Sequence, residues 1–434
     1  MNAVDKRPLI RTLAVLGLVL GLVNPVFSET FKDNMHLGVA SCASNVCHGK
    51  LSKQAGENVW LNEYGIWSSV DDLHSRAYKT LLTDESRLIA RKLGLKNAQS
   101  ADLCLDCHAD NVPQELRDEK FQVTDGVGCE ACHGGAKLWI DSHTEPGATH
   151  AANLKLGMYP TEDPGKRATL CLGCHMGTKS KFTTHEIMGA GHPRLRFELE
   201  TFTALQPAHY DVDEDYIERK RSIVGFGLWM IGQIEAADNY LTLLQSDLLE
   251  APGMFPEFSF YDCHSCHHPM EKKRWTMTKR NQGLKAGTLR LQDQHFLMLR
   301  TITQVLDKSR STEFRRLSAS LLKSGQTSKP AIRKSAAELS GWLRARQSEW
   351  LARDITQAEI RAIRKAVAAL GANGTISDFA SAEQALLAIE SLSLYLEDAD
   401  RIGAALDRLY EVVESETYTP AAFRSAARRA LDLL

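Results

Sequence analysis

The sequence predicts a mainly α chain with little regular sheet, in which a compact cysteine- and histidine-rich region precedes an all-helical extension. Three observations predict it. All ten cysteines lie before residue 267, and they fall in five pairs. From about residue 36 to 200 the chain is broken by Gly, Pro and Asn, which leaves room only for short helices. From about Lys285 onward there is no cysteine and one histidine, and apolar residues recur at intervals of three and four.

The N-terminus comes first. Lys6, Arg7 and Arg11 precede an apolar run from Leu13 to Val23, and Val26-Phe27-Ser28 offers a cleavage site ahead of Glu29. That order is a secretory signal over residues 1–28, and the run is short for a bilayer span. The mature protein is expected in the periplasm, without an integral membrane segment. A net charge of -2 over 434 residues gives no argument for nucleic acid or anionic lipid as a partner.

Next come the cysteines. Four pairs read C-x-x-C-H: Cys104/Cys107/His108, Cys129/Cys132/His133, Cys171/Cys174/His175 and Cys263/Cys266/His267. The first pair is stretched, with Cys42 and Cys47 separated by four residues and followed by His48. Two thiols at this spacing add across the vinyl groups of a haem, and the histidine that follows is held beneath the iron. Zinc and iron-sulfur sites also use paired cysteines, but they do not demand histidine at the same place in every pair. About five covalently attached haem c groups are expected, the stretched motif included. Its alternative is a disulfide beside an unused histidine.

Of fifteen histidines, five follow the motifs and ten remain. This surplus points to histidine on the second axial face of most irons, which lowers the redox potential relative to methionine. The candidates are His74, His143, His150, His185 and His192. His185 and His192 are seven residues apart, but Gly189, Gly191 and Pro193 break the helix between them, so the two imidazoles can serve different haems. His36 is an open candidate, whereas His264 lies inside its own attachment loop and His268 would have to serve a neighbour. His209 and His295 carry the weakest arguments.

The remaining elements follow in order. Glu85–Leu93 reads as a helix that ends near Gly94. Trp60, Trp67, Tyr78, Trp139 and Phe182 are expected to pack the haem region, residues 29–210. Asp213–Glu250 reads as one long helix on the spacing of Ile217, Ile223, Leu228, Ile231, Ile234 and Leu241. With the fifth motif and its loop (Tyr261, Pro269, Trp275) it makes a segment from 211 to 284. Residues 285–434 form a bundle, in which Thr356 and Glu359 make a capping box and Gly371 closes the helix they open. Ser377–Leu396 and Ile402–Val413 repeat the pattern. The acidic 211–215 and basic 271–274 clusters read as solvated loops, with partner steering as the alternative.

Gly38–Gly49, His74–Tyr78, Gly126–Gly134, Cys171–His175 and Gly189–His192 together resemble the multihaem cytochrome family of the nitrification pathway. Its tetrahaem member accepts electrons from hydroxylamine oxidoreductase. The resemblance covers about residues 36 to 200. It implies a compact, mostly helical fold with haems in closely spaced pairs, mostly bis-histidine, one of which can lack a distal ligand in the family type. His74, His143 and His192 match the kinds of position where such proteins place distal ligands. The fifth motif and the helical extension depart from that pattern.

Two functions follow. One is an electron carrier exchanging electrons with redox partner proteins such as other cytochromes or quinol and nitrogen-compound oxidoreductases. The other is an oxidoreductase acting on hydroxylamine, nitrite or nitric oxide at an iron with an open face. Arg194 and Arg196 could polarise its substrate or could pair with haem propionates. No P-loop or dinucleotide fingerprint is present. The histidine surplus favours the carrier, and no catalytic residue is assigned.

Overall fold

The computed structural model describes residues 34–52, 60–210, 225–250, 257–267, 283–415 and 417–434. The signal segment, both charge clusters, Ile217, Ile223, His268, Pro269 and Trp275 lie outside the described residues. The fold is mainly α. Among the described residues no strand forms, and pairing is limited to two isolated bridges, His36 with Arg117 and Tyr261 with Leu291.

Among the described residues the N-terminal region carries nine short helices: α1 (Glu63–Trp67), α2 (Ala77–Thr80), α3 (Asp84–Lys92), α4 (Asp102–His108), α5 (Cys129–His133), α6 (His150–Lys155), α7 (Pro164–His175), α8 (His185–Ala190) and α9 (Leu199–Leu205). The starts of α3, α7 and α8 are capped by side chains that accept from the first free amides: Thr83 from Ser86, Asp163 from Lys166 and Thr184 from Ile187. Past α3, Gly94 takes a left-handed φ of 70°, so the helix ends where the sequence predicts.

The second region is a bundle: α10 (Phe226–Gln245), α11 (Gln294–Leu306), α12 (Ser311–Ser324), α13 (Lys329–Leu351), α14 (Gln357–Ala372), α15 (Phe379–Tyr395), α16 (Ala399–Val413) and α17 (Pro420–Leu433). Helix α10 is its axle. Leu228, Trp229, Met230, Ile231, Ile234, Ala237, Leu241 and Leu244 bury several of its faces at once, as expected of a helix surrounded by others. It packs on α11, α13 and α15 of the bundle and on α7 and α9 of the N-terminal region, so it joins the two. The long predicted helix is shorter at its C-terminus. Ser246 turns extended and a 3-10 turn, Asp247–Glu250, follows.

The two regions bury apolar surface differently. The bundle shares one large core running from Phe226 to Ala430. The N-terminal region has only small clusters, such as Leu81, Ala90, Ala98, Leu105 and Ala109, or Leu37, Ala136 and Trp139. A region of this length with so little shared core needs other apolar bulk to hold it. No described helix is long and apolar enough to cross a membrane.

Candidate functional site

Three of the five motifs end a helix. In α4, α5 and α7 the two cysteines stand three residues apart on one face, and the histidine is the last helical residue. The fifth motif begins with a 3-10 turn, Cys263–Ser265. The stretched first motif is a compact turn in which His48 N bonds back to Cys42 O at 3.1 Å, which returns the histidine to the position it has in the shorter motifs. All ten thiols are unbridged.

A metal–imidazole bond is about 2.0 Å and the ring centroid lies about 1.1 Å further in, so imidazoles on opposite faces of one metal have centroids about 6.2 Å apart. Each of the five motif histidines faces a second histidine at that distance. His48 faces His143 at 6.2 Å. His108 faces His192 at 6.4 Å, His133 faces His209 at 6.2 Å and His175 faces His74 at 6.4 Å. His267 faces His185 at 6.1 Å. Rotation about a shared axis leaves the angle between the ring planes free, so the range from 8° to 86° is compatible with coaxial rings.

The ring nitrogens agree. His48 Nδ1 lies 3.1 Å from Glu63 Oε2, and His74 Nδ1 lies 3.1 Å from Asp72 Oδ1. His108 Nδ1–H donates to Ala77 O, His143 Nδ1–H to Ile140 O and His192 Nδ1–H to Pro193 O. In all five the Nδ1 is engaged, which turns Nε2 toward the facing ring; such outer partners orient metal-bound histidines. The Glu63 contact raises the proton affinity of His48. Burial lowers His108 and His209 and pushes His175 down to about 4, keeping these rings in the neutral form that binds metal.

His150 is held differently: its Nε2 sits 2.6 Å from Glu162 Oε1 and so faces a carboxylate. His209, weakest on sequence grounds, stands opposite His133. His36 is buried, with Nδ1 2.7 Å from Asp110 Oδ2. His264 packs on Tyr418. Arg194 and Arg196 both reach Glu383 of α15, at 2.7 and 3.3 Å, a partner from the far end of the chain that local sequence cannot reveal. Trp139 packs its edge on His143 at 5.5 Å, while Phe182 stacks on Phe260 beside the fifth motif.

The sites adjoin one another. The Cys42 thiol neighbours that of Cys129, and the Cys107 thiol that of Cys174, each pair close enough to share a hydrogen bond. Cys132 is pushed up to about 12 by burial and then by the nearby Cys171 and Cys174. Helix α8 starts at His185, and His192 follows just past its end. Inside the third motif, the buried Glu130 carboxylate accepts N–H bonds from Leu37 and Gly38, just ahead of the first motif, and from Ala136, at 2.7–2.8 Å.

Each site supplies two opposed imidazoles and two thiols. A bare zinc ion needs three or four protein donors, whereas haem brings its own in-plane ligands and asks the protein for the two axial ones. The donor set therefore fits haem c.

Residues 41–134 match the family described as cytochrome c554 and c-prime. That stretch contains the first three motifs. The match supports a multihaem c-type cytochrome with covalently bound haem c and a role in electron transport, which implies redox partners. No curated protein matches the chain, and no solved structure does.

Proposed function

We propose that the chain is an exported, periplasmic cytochrome with five haem c groups, each held between two histidines, that conducts electrons between partner proteins. The observation that carries this reading is the set of five histidine pairs at 6.1–6.4 Å, one for every attachment motif. In chain order the pairs that would hold haem are His48 with His143, His108 with His192, His133 with His209, His175 with His74 and His267 with His185. Bound haem supplies one-electron redox chemistry, and two imidazole ligands hold it at low potential.

The residues do the rest by spacing. Cys42 neighbours Cys129, Cys132 lies near Cys171 and Cys174, Cys174 neighbours Cys107, and α8 separates His185 from His192, so the sites would be strung in the order one, three, four, two, five. The fifth site has exposed cysteines, which suits an end of the path open to a partner.

An oxidoreductase would need an iron with one free face. The five facing histidines speak against it, as does the engagement of Arg194 and Arg196 with Glu383. Intact mass of the purified protein and a low-temperature EPR spectrum of its oxidised form test the reading. Five attached haems, all low-spin, are expected. A high-spin iron in stoichiometric amount would overturn the carrier and revive the enzyme, and a mass of four haems plus a disulfide would refute the stretched motif.

A further inference from the structure

Beside the fifth motif, the junction of the N-terminal region with the bundle forms a partly open cavity of about 170 Å³. Phe182, Phe197, Tyr240, Leu243 and Phe260 supply apolar lining. Cys263 lies on its rim. The described lining residues include Cys263 and His264 of the fifth motif but neither His185 nor His267.

Charge in the wall is matched internally. Arg194 and Arg196 share Glu383, and the buried Arg290 binds Asp262 at 2.9 Å and Asp378 at 3.3 Å. An ionic ligand would disturb pairs already made, so the space suits a neutral one. Its size is set too: an apolar cavity of about 150 Å³ accepts one benzene ring.

One lining group asks for a hydrogen bond. His295 is 6% exposed, and its Nδ1 lies 2.9 Å from Gln233 Oε1. Gln233 Nε2–H donates to Gln384 Oε1 at 3.0 Å, and Gln384 Nε2–H donates to the Phe197 carbonyl at 2.9 Å. A carbonyl only accepts, so every bond in this relay has one direction. The hydrogen of His295 is thereby fixed on Nδ1, and Nε2 presents a lone pair on a ring that lines the cavity. Burial keeps the ring neutral, its pKa pushed down to about 4.

We propose that this cavity is a binding site for a neutral molecule with one hydroxylated aromatic ring, a phenol or hydroquinone head, whose O–H donates to His295 Nε2. The site is built from protein groups alone. Only its position next to a redox centre, through Cys263, rests on the haem reading.

Calorimetric titration of the holoprotein with phenol and with toluene, a ring of like shape without the hydroxyl, tests the proposal. Wild type is expected to bind phenol. His295→Leu should weaken phenol by about tenfold or more, because a buried hydroxyl loses its acceptor, and should leave toluene within about threefold. Ala380→Leu, which fills the cavity, should abolish both. Should His295→Leu fail to fold, the Ala380→Leu result decides: loss of phenol binding supports the site and unchanged binding overturns it. Absence of phenol binding by wild type, as when haem itself fills the space, also overturns it. Haem stoichiometry, read separately by mass, keeps this outcome distinct from failure of the cytochrome reading.

Discussion

His209 and His150 exchange places between the sequence and the three-dimensional arrangement. His150 follows the third motif closely across a flexible-looking loop, so proximity along the chain argued for it, yet its Nε2 meets Glu162. His209 follows Pro207 at the edge of an acidic run, with no local pattern around it, and still faces His133. On the proposed ligation, His209→Ala should convert one haem of five from low-spin to high-spin, read by EPR or by visible absorption. His150→Ala should leave the spectrum unchanged. The paired cysteines and the histidines after them are legible because covalent haem attachment would demand them at close spacing. The histidines that face them come from distant chain, and no spacing rule connects them. A residue of another kind tests the bundle. Arg364 is fully buried and hydrogen-bonds to Asp398, whose pKa it lowers. A carboxyl with a depressed folded pKa contributes stability above its unfolded value near 3.8, and that contribution is lost as pH falls through the folded value. Asp398→Asn should therefore cost stability at neutral pH, and its deficit against wild type should shrink below about pH 4 in acid denaturation.

Elements were legible in proportion to their length. The capping box at Thr356 forms as the sequence predicts, the side chain accepting from Glu359 N while Glu359 accepts from Thr356 N. Thr356→Ala should cost about 1 kcal/mol in chemical denaturation. Gly371 does not close that helix. α14 runs on to Ala372, and the left-handed turn falls at Gly374 with φ 77°. Gly371 serves a packing role instead: a Cβ there would come within 2.7 Å of Ala427 Cβ and 3.1 Å of the Phe423 ring, so its absence lets α14 and α17 approach. Gly371→Leu should destabilise by about 1–3 kcal/mol through overpacking, again by denaturation. Glycine near a helix end reads the same in sequence whether it caps or packs, because the neighbour that distinguishes the two lies some fifty residues away in chain terms. The short helices of the N-terminal region were only partly visible, since their length gives little periodicity and their caps do most of the defining.

At the scale of the molecule, two cores meet along α10. The bundle buries its apolar residues in the ordinary way, and its all-helical character was plain from periodicity. The N-terminal region has small clusters around four paired-imidazole sites, with the fifth pair at its border with the bundle. Cys263→Ala/Cys266→Ala should remove one haem by intact mass and leave four. The remaining low-spin signals should be preserved, because the other four histidine pairs draw on the N-terminal region only. The fifth pair is different in origin. His185 stands on α8 of the N-terminal region, while His267 belongs to a loop tied to the bundle through Tyr261–Leu291 and Arg290–Asp262. On the proposed ligation, attachment through Cys263 and Cys266 would need only a few residues of chain, but the bond to His185 could not close until both regions had folded and met. A fifth haem held in this way would be a clock built into the molecule: during refolding, the moment its iron turned low-spin would date the docking of the two halves.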